Sequence, residues 1–153
     1  MKTLILIVIL VLTALSCTEE IPLDCTDTSV KAPKDPARNG VTVSDCVAKS
    51  SRSSSNYRNI DVSCAFQNNL DEPQYIGYSS ITLLGKDDVI LASLYVKDPT
   101  QAFLPGSSLR AGRQFVIRKN IATLVTRIYV KLKHQRTKKF EAKDNSVMCE
   151  IRE

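Results

Sequence analysis

Five cysteines and a single histidine carry most of the reactive chemistry in this 153-residue chain. The cysteines stand at Cys17, Cys25, Cys46, Cys64 and Cys149. A zinc site needs three or four ligands at short spacings, and the cysteines show no CxxC pattern, so no metal is expected. His134 sits between Lys133 and Gln135 beyond a basic stretch and reads as a solvated edge residue rather than a general base. A serine hydrolase would place its nucleophile on a GxSxG turn, and none is present. The adjacent carboxylates Asp71-Glu72 and Asp87-Asp88 fall where turns fall, whereas calcium needs alternating ligands over a longer loop. Five glycines form no phosphate-cradling loop. The residue types therefore argue against an enzyme and against a cofactor.

Cys17 has a different chemistry available. Lys2 is the only charge before Glu19, and Leu4 to Leu15 is almost wholly apolar. A positive start, about a dozen apolar residues and small residues at the end make a secretory signal over residues 1–16. The run is shorter than the roughly 18 to 20 apolar residues that span a bilayer. Ala14-Leu15-Ser16 suits ordinary signal peptidase, and the same residues directly before a cysteine resemble a bacterial lipobox. There the Cys17 thiol takes a diacylglycerol, and the freed amine can take a third chain. Two or three chains anchor firmly where one binds only marginally. Ala14 departs from the leucine usual at that place. The residue after Cys17 is Thr18, not Asp, which by lipoprotein-sorting habit directs the protein to the outer membrane in a Gram-negative host.

Cysteine parity agrees with the lipid. Without Cys17 four cysteines remain, an even number that suggests two disulfides in an oxidising compartment. Three pairings are open.

Charge is uneven along the chain. Residues 18–109 hold 8 Lys+Arg and 12 Asp+Glu, while residues 110–153 hold 12 and 4. The basic C-terminal part reads either as solvation of exposed strands or as a face for an anionic partner. Lipid headgroups, an anionic envelope polymer or an acidic envelope protein fit the second reading. Nucleic acid does not, because no aromatic platform interleaves the basic run.

These residues must be held by strands. Ile60, Val62, Cys64 and Phe66 alternate with polar neighbours, so Cys64 faces inward. Gln74 to Leu84 is a strand, and the turn Gly85 to Asp88 leads into Val89 to Val96, apolar enough for a central strand. Leu104 to Gly106 turns the chain, and Gln114 to Arg118 is a strand with Phe115 and Ile117 on one side. Ile121 to Val125 reads as a short helical turn. From Thr126 to Lys133, Ile128, Val130 and Leu132 point inward and Arg127, Tyr129, Lys131 and Lys133 outward. Val41 to Val47, Phe140 to Lys143 and Val147 to Ile151 complete the set, with polar turns at Ser50 to Ser55, Asn68 to Pro73 and Gln135 to Lys139. About seven short strands with regular turn signals predict an all-β, antiparallel β-sandwich of immunoglobulin-like type. Residues 17–40, with three of the six prolines, read as tether and turns, and 41–153 as the sandwich domain. An inward Cys64 and a last-strand Cys149 make an inter-sheet bridge the favoured pairing. Cys25–Cys46 would then tie the tether down over a short loop, for about 3 kcal/mol.

Residues 58–133 resemble the FxLYD domains, small immunoglobulin-like domains of bacterial exported proteins. Asn68 and Asn69 occupy the Asn-rich turn, Gly85 to Asp88 the polar turn, and Leu109, Gly112 and Phe115 the Leu, Gly and Phe places that lead to the final strands. The name-giving Phe-x-Leu-Tyr-Asp string is represented only by Leu94-Tyr95. The resemblance implies a binding or scaffold module without a catalytic set.

The expectation is a non-enzymatic envelope lipoprotein, lipidated at Cys17, that binds through Arg127, Tyr129, Lys131 and Lys133. Tyrosine among arginines and lysines is typical of contact anchors. The alternative is a freely secreted binding protein, or an inhibitor offering a loop from Gly106 to Gly112, with no lipid.

Overall fold

Period-two alternation is most regular between residues 127 and 133, and there the side chains sort most completely. Ile128, Val130 and Leu132 are fully buried, while Tyr129, Lys131 and Lys133 keep part of their surface in solvent. Each buried aliphatic contributes about 1.5–3 kcal/mol of transfer free energy. A one-residue slip would put all three in water, so burial fixes the register.

The computed structural model describes residues 18–27, 40–96, 102–135 and 143–152. Cys17, the expected signal at residues 1–16 and all of the expected turn Gln135 to Lys139 except Gln135 lie outside the described residues; Gln135 itself is strand. Among the described residues the strands are β1 (Glu19–Ile21), β2 (Leu23–Asp27), β3 (Val41–Arg52), β4 (Tyr57–Asn68), β5 (Gln74–Leu84), β6 (Ile90–Val96), β7 (Ala102–Phe103), β8 (Ser108–Arg118), β9 (Arg127–Gln135) and β10 (Lys143–Ile151). One short helix, α1 (Lys119–Ala122), follows β8. The fold is all-β and antiparallel throughout. One sheet runs β1-β3-β4-β8, the other β2-β10-β9-β5-β6 with β7 also on β5. Val62 and Phe66 of the first sheet share a core with Ile81, Leu83, Ile128 and Val130 of the second.

The seven expected strands correspond to β3, β4, β5, β6, β8, β9 and β10, and β1, β2 and β7 are additional. Residues 19–27, read from the sequence as tether, are two short strands. Glu19 to Ile21 pair with Ser50 to Ala48, and Leu23 to Asp27 pair with Ile151 to Val147. Pro22 separates them, so each short piece joins a different sheet. The polar run from Ser50 is likewise strand as far as Arg52; only residues 53–56 turn. Val89 to Val96 was expected at the centre of a sheet. Among the described residues β6 has only β5 beside it, and Ile90 and Tyr95 are 68% and 74% exposed. Apolarity marks contact with something, but it does not say which edge of the strand is filled.

The cysteines pair as Cys25–Cys149 and Cys46–Cys64, against the favoured assignment. Strand register is the reason. Cys46 lies directly opposite Cys64 on β3 and β4, and Cys25 opposite Cys149 on β2 and β10. The Cα atoms of the pairs are 4.1 and 3.9 Å apart. Alternation alone shows that Cys64 and Cys149 face inward, but not that each has a cysteine beside it in its own sheet. Each disulfide therefore staples neighbouring strands, and the Sγ atoms of Cys25, Cys46 and Cys149 lie within 4.8 Å of one another. Two disulfides suggest an oxidising, exported environment.

Asn68 joins the two turns at one end of the sandwich. It is fully buried, and its Nδ2 donates to the carbonyls of Phe103 (2.8 Å) and Glu72 (3.0 Å). Its Oδ1 accepts from the Leu70 amide at 3.0 Å. Gly106, at φ 69°, lets the second turn reach back so that its amide donates to the Asn68 carbonyl at 2.8 Å.

Candidate binding surface

The outward residues of β9 line the exposed side of the six-stranded sheet. Tyr129 stands opposite Thr82 of β5 and Met148 of β10. Thr82 in turn faces Ser93 of β6, and their hydroxyls share a 2.8 Å hydrogen bond. In the next row Lys131 stands between Ser80 and Ser146, and Ser80 faces Tyr95. The face thus sets two tyrosines and Lys131 on a floor of small hydroxyl residues. Lys133 follows at its far side, with Tyr78 and Asp144 as register partners.

The four residues singled out from the sequence do share this face, but not as free charges. Arg127 is held by Asp88 at 2.8 Å, and Lys131 and Lys133 are already engaged with neighbouring groups. Asp88 itself sits with Asp87 in a turn where both have positive φ, 60° and 55°. That pair is accounted for by turn chemistry and by the ion pair to Arg127. His134 lies on β9 with its side chain outside what is described. The supposed loop from Gly106 to Gly112 is strand from Ser108 onward, paired residue by residue with β4. At Gly112 an added Cβ would stand 2.9 Å from the Ser63 Cβ, so the glycine there serves close packing of β8 on β4.

A second basic cluster appears at the end of the sandwich where the described chain begins. Arg52 stands directly opposite Arg58 across the β3–β4 hairpin, and Tyr57 opposite Arg118 of β8. The Lys119 amide donates to the Asn56 carbonyl at 2.9 Å, which seats α1 beside the hairpin. Ser55, Tyr57, Arg118, Lys119 and Thr123 line a broad open groove of about 640 Å³. A neighbouring groove of about 370 Å³ shares Lys119 and passes Glu19, Ile21 and Arg58. Ion pairs among the described residues use Lys49, Arg110, Arg127 and Arg152 and leave Arg52, Arg58, Arg118 and Lys119 without one. Sequence reasoning missed this cluster because its members are up to 67 positions apart. Only strand pairing brings them together. The one early signal was the excess of Lys and Arg after residue 109.

A third concavity, about 420 Å³, opens between the sheets beside β8. Phe103, Leu109, Ile76 and Arg113 are among the residues that line it.

No family model matches the chain, and no curated protein matches it. Among solved structures, a protein from Archaeoglobus fulgidus is similar with a TM-score of 0.48 and 12% identity, over 73% of this chain and 98% of that one. A β-glucuronidase of glycoside hydrolase family 2 is similar with a TM-score of 0.40 and 14% identity, over 70% of this chain and 11% of that one.

Proposed function

We propose that this protein is an exported, lipid-anchored module of the bacterial envelope that binds a partner rather than transforming a substrate. The observation that carries the reading is the face built by Tyr95, Tyr129, Lys131 and Lys133 over Ser80, Thr82 and Ser93. Tyrosine supplies broad, rigid contact area, and lysine supplies charge selectivity toward an anionic protein or polymer. Two disulfides, and the export signal read from residues 1–16, support a position for that face outside the cytoplasm. Cys17 supplies the anchor through its acylated thiol. The resemblance of residues 58–133 to FxLYD domains supports the same module class.

The test is charge reversal. The full chain carrying Cys17→Ser is secreted, and its binding to purified envelopes of the host is measured with and without Lys131→Glu and Lys133→Glu. The double variant is expected to bind at least tenfold more weakly while keeping both disulfides and its thermal transition. Unchanged binding would reduce the β9 lysines to strand solvation.

A further inference from the structure

The strands at residues 19–27 change what an anchor at Cys17 implies. With a 23-residue tether, the sandwich would float free of the bilayer. With β1 already paired at Glu19, only Thr18 separates Cys17 from the folded domain. Two residues span at most about 7 Å. Glu19 lies opposite Ser50, so the chain before it runs toward Arg52 and the hairpin at residues 53–56. A lipid on Cys17 would therefore lie beside the end of the sandwich that carries Arg52, Arg58, Arg118 and Lys119.

We propose that this end is the membrane-facing surface, with Arg52, Arg58, Arg118 and Lys119 contacting the phosphates of anionic lipid headgroups. The proposal rests on the lipid anchor proposed above. Three observations converge on it. The cations lack ion-pair partners among the described residues, in contrast to the engaged basic residues of β9. Tyr57 and Leu124 are 41% and 53% exposed there, and an amphipathic ring and an aliphatic side chain suit the headgroup boundary. The grooves between the hairpin and α1 are open rather than enclosed, as contact with a surface requires. Of the carboxylates at this end, Glu20, Asp24 and Asp88 are occupied by Lys49, Arg152 and Arg127; the other described ones are Glu19, Asp87 on the β5–β6 turn, and Asp61 and Glu150 further along β4 and β10. Each basic residue near an anionic bilayer raises partition about fivefold.

Two measurements decide it. In the first, native protein is reconstituted into phosphatidylglycerol–phosphatidylcholine vesicles and labelled with a membrane-impermeant amine reagent. Lys119 should react at least fivefold more slowly than in detergent, while Lys131 reacts alike in both. Equal reactivity of Lys119 in vesicles and detergent would overturn the orientation even if Cys17 proves acylated. In the second, the full chain with Cys17→Ser is sedimented with vesicles of phosphatidylglycerol or of phosphatidylcholine. Binding should be confined to the anionic vesicles, fall with added salt, and drop more than tenfold in Arg118→Glu/Lys119→Glu. No binding, or loss only in Lys131→Glu/Lys133→Glu, would overturn the headgroup site. This second measurement needs no lipid on Cys17, so failure of the anchor and failure of the cationic surface are read separately.

Discussion

Asn68 does more for the fold than its place in an Asn-rich turn suggests. Its side chain is buried and satisfies two carbonyls and one amide, and its main chain meets the second turn at Gly106 and Ser107. Asn68→Ala would leave the Phe103 carbonyl buried without this donor and free the Leu70 amide. The expected loss is about 2–4 kcal/mol, since each unsatisfied buried group costs about 1–3 kcal/mol. Urea unfolding would show it as a lower midpoint with an unchanged slope. A loss below about 0.5 kcal/mol would mean water replaces the side chain at no cost. At this scale the sequence was informative about type and silent about partners. An Asn pair before Pro73 marks a turn, but its contact with Phe103, 35 positions away, depends on the meeting of two turns.

Strands show the same division between local and distant information. β5 was legible to the residue, because its polar flanks and apolar run are both local. The inward and outward sides of β9 were equally plain. β1 and β2 were not, since Pro22, Asp24 and Thr26 outweigh the few apolar residues around them. Those segments are held by pairing with β3 and β10 rather than by their own propensity. Missing β2 hid the neighbour of Cys149 and so misassigned both disulfides. The observed pairing has a measurable consequence. Cys25–Cys149 closes a separation of 124 residues and Cys46–Cys64 one of 18. In the chain-entropy account the first contributes about 5 kcal/mol and the second about 3 kcal/mol. Replacing Cys25 and Cys149 by Ala should therefore destabilise the protein more than replacing Cys46 and Cys64, by about 2 kcal/mol in denaturant unfolding. The reverse order would show that strand packing, not chain entropy, governs the contribution of the staples.

For the whole molecule, the charge layout seen along the chain becomes two surfaces. β9 carries an engaged Tyr–Lys face on the six-stranded sheet, and the hairpin end carries Arg52, Arg58, Arg118 and Lys119, which form no ion pair among the described residues. The composition gave the excess of cations but could not divide it, because the division follows from which strands pair. If Cys17 is acylated, the hairpin end meets the bilayer and the β9 face is turned along the membrane toward a neighbouring envelope component. That arrangement leaves the partner face accessible while the domain is held close to the lipid.

The most direct measurement is the intact mass of the protein purified from its own membranes, beside the Cys17→Ser variant. The account predicts a chain beginning at Cys17 that carries two or three acyl chains, with the added mass absent from the variant and no free thiol among Cys25, Cys46, Cys64 and Cys149. A plain polypeptide mass recovered from the medium would contradict it. The protein would then be a freely secreted factor whose partners lie outside the cell.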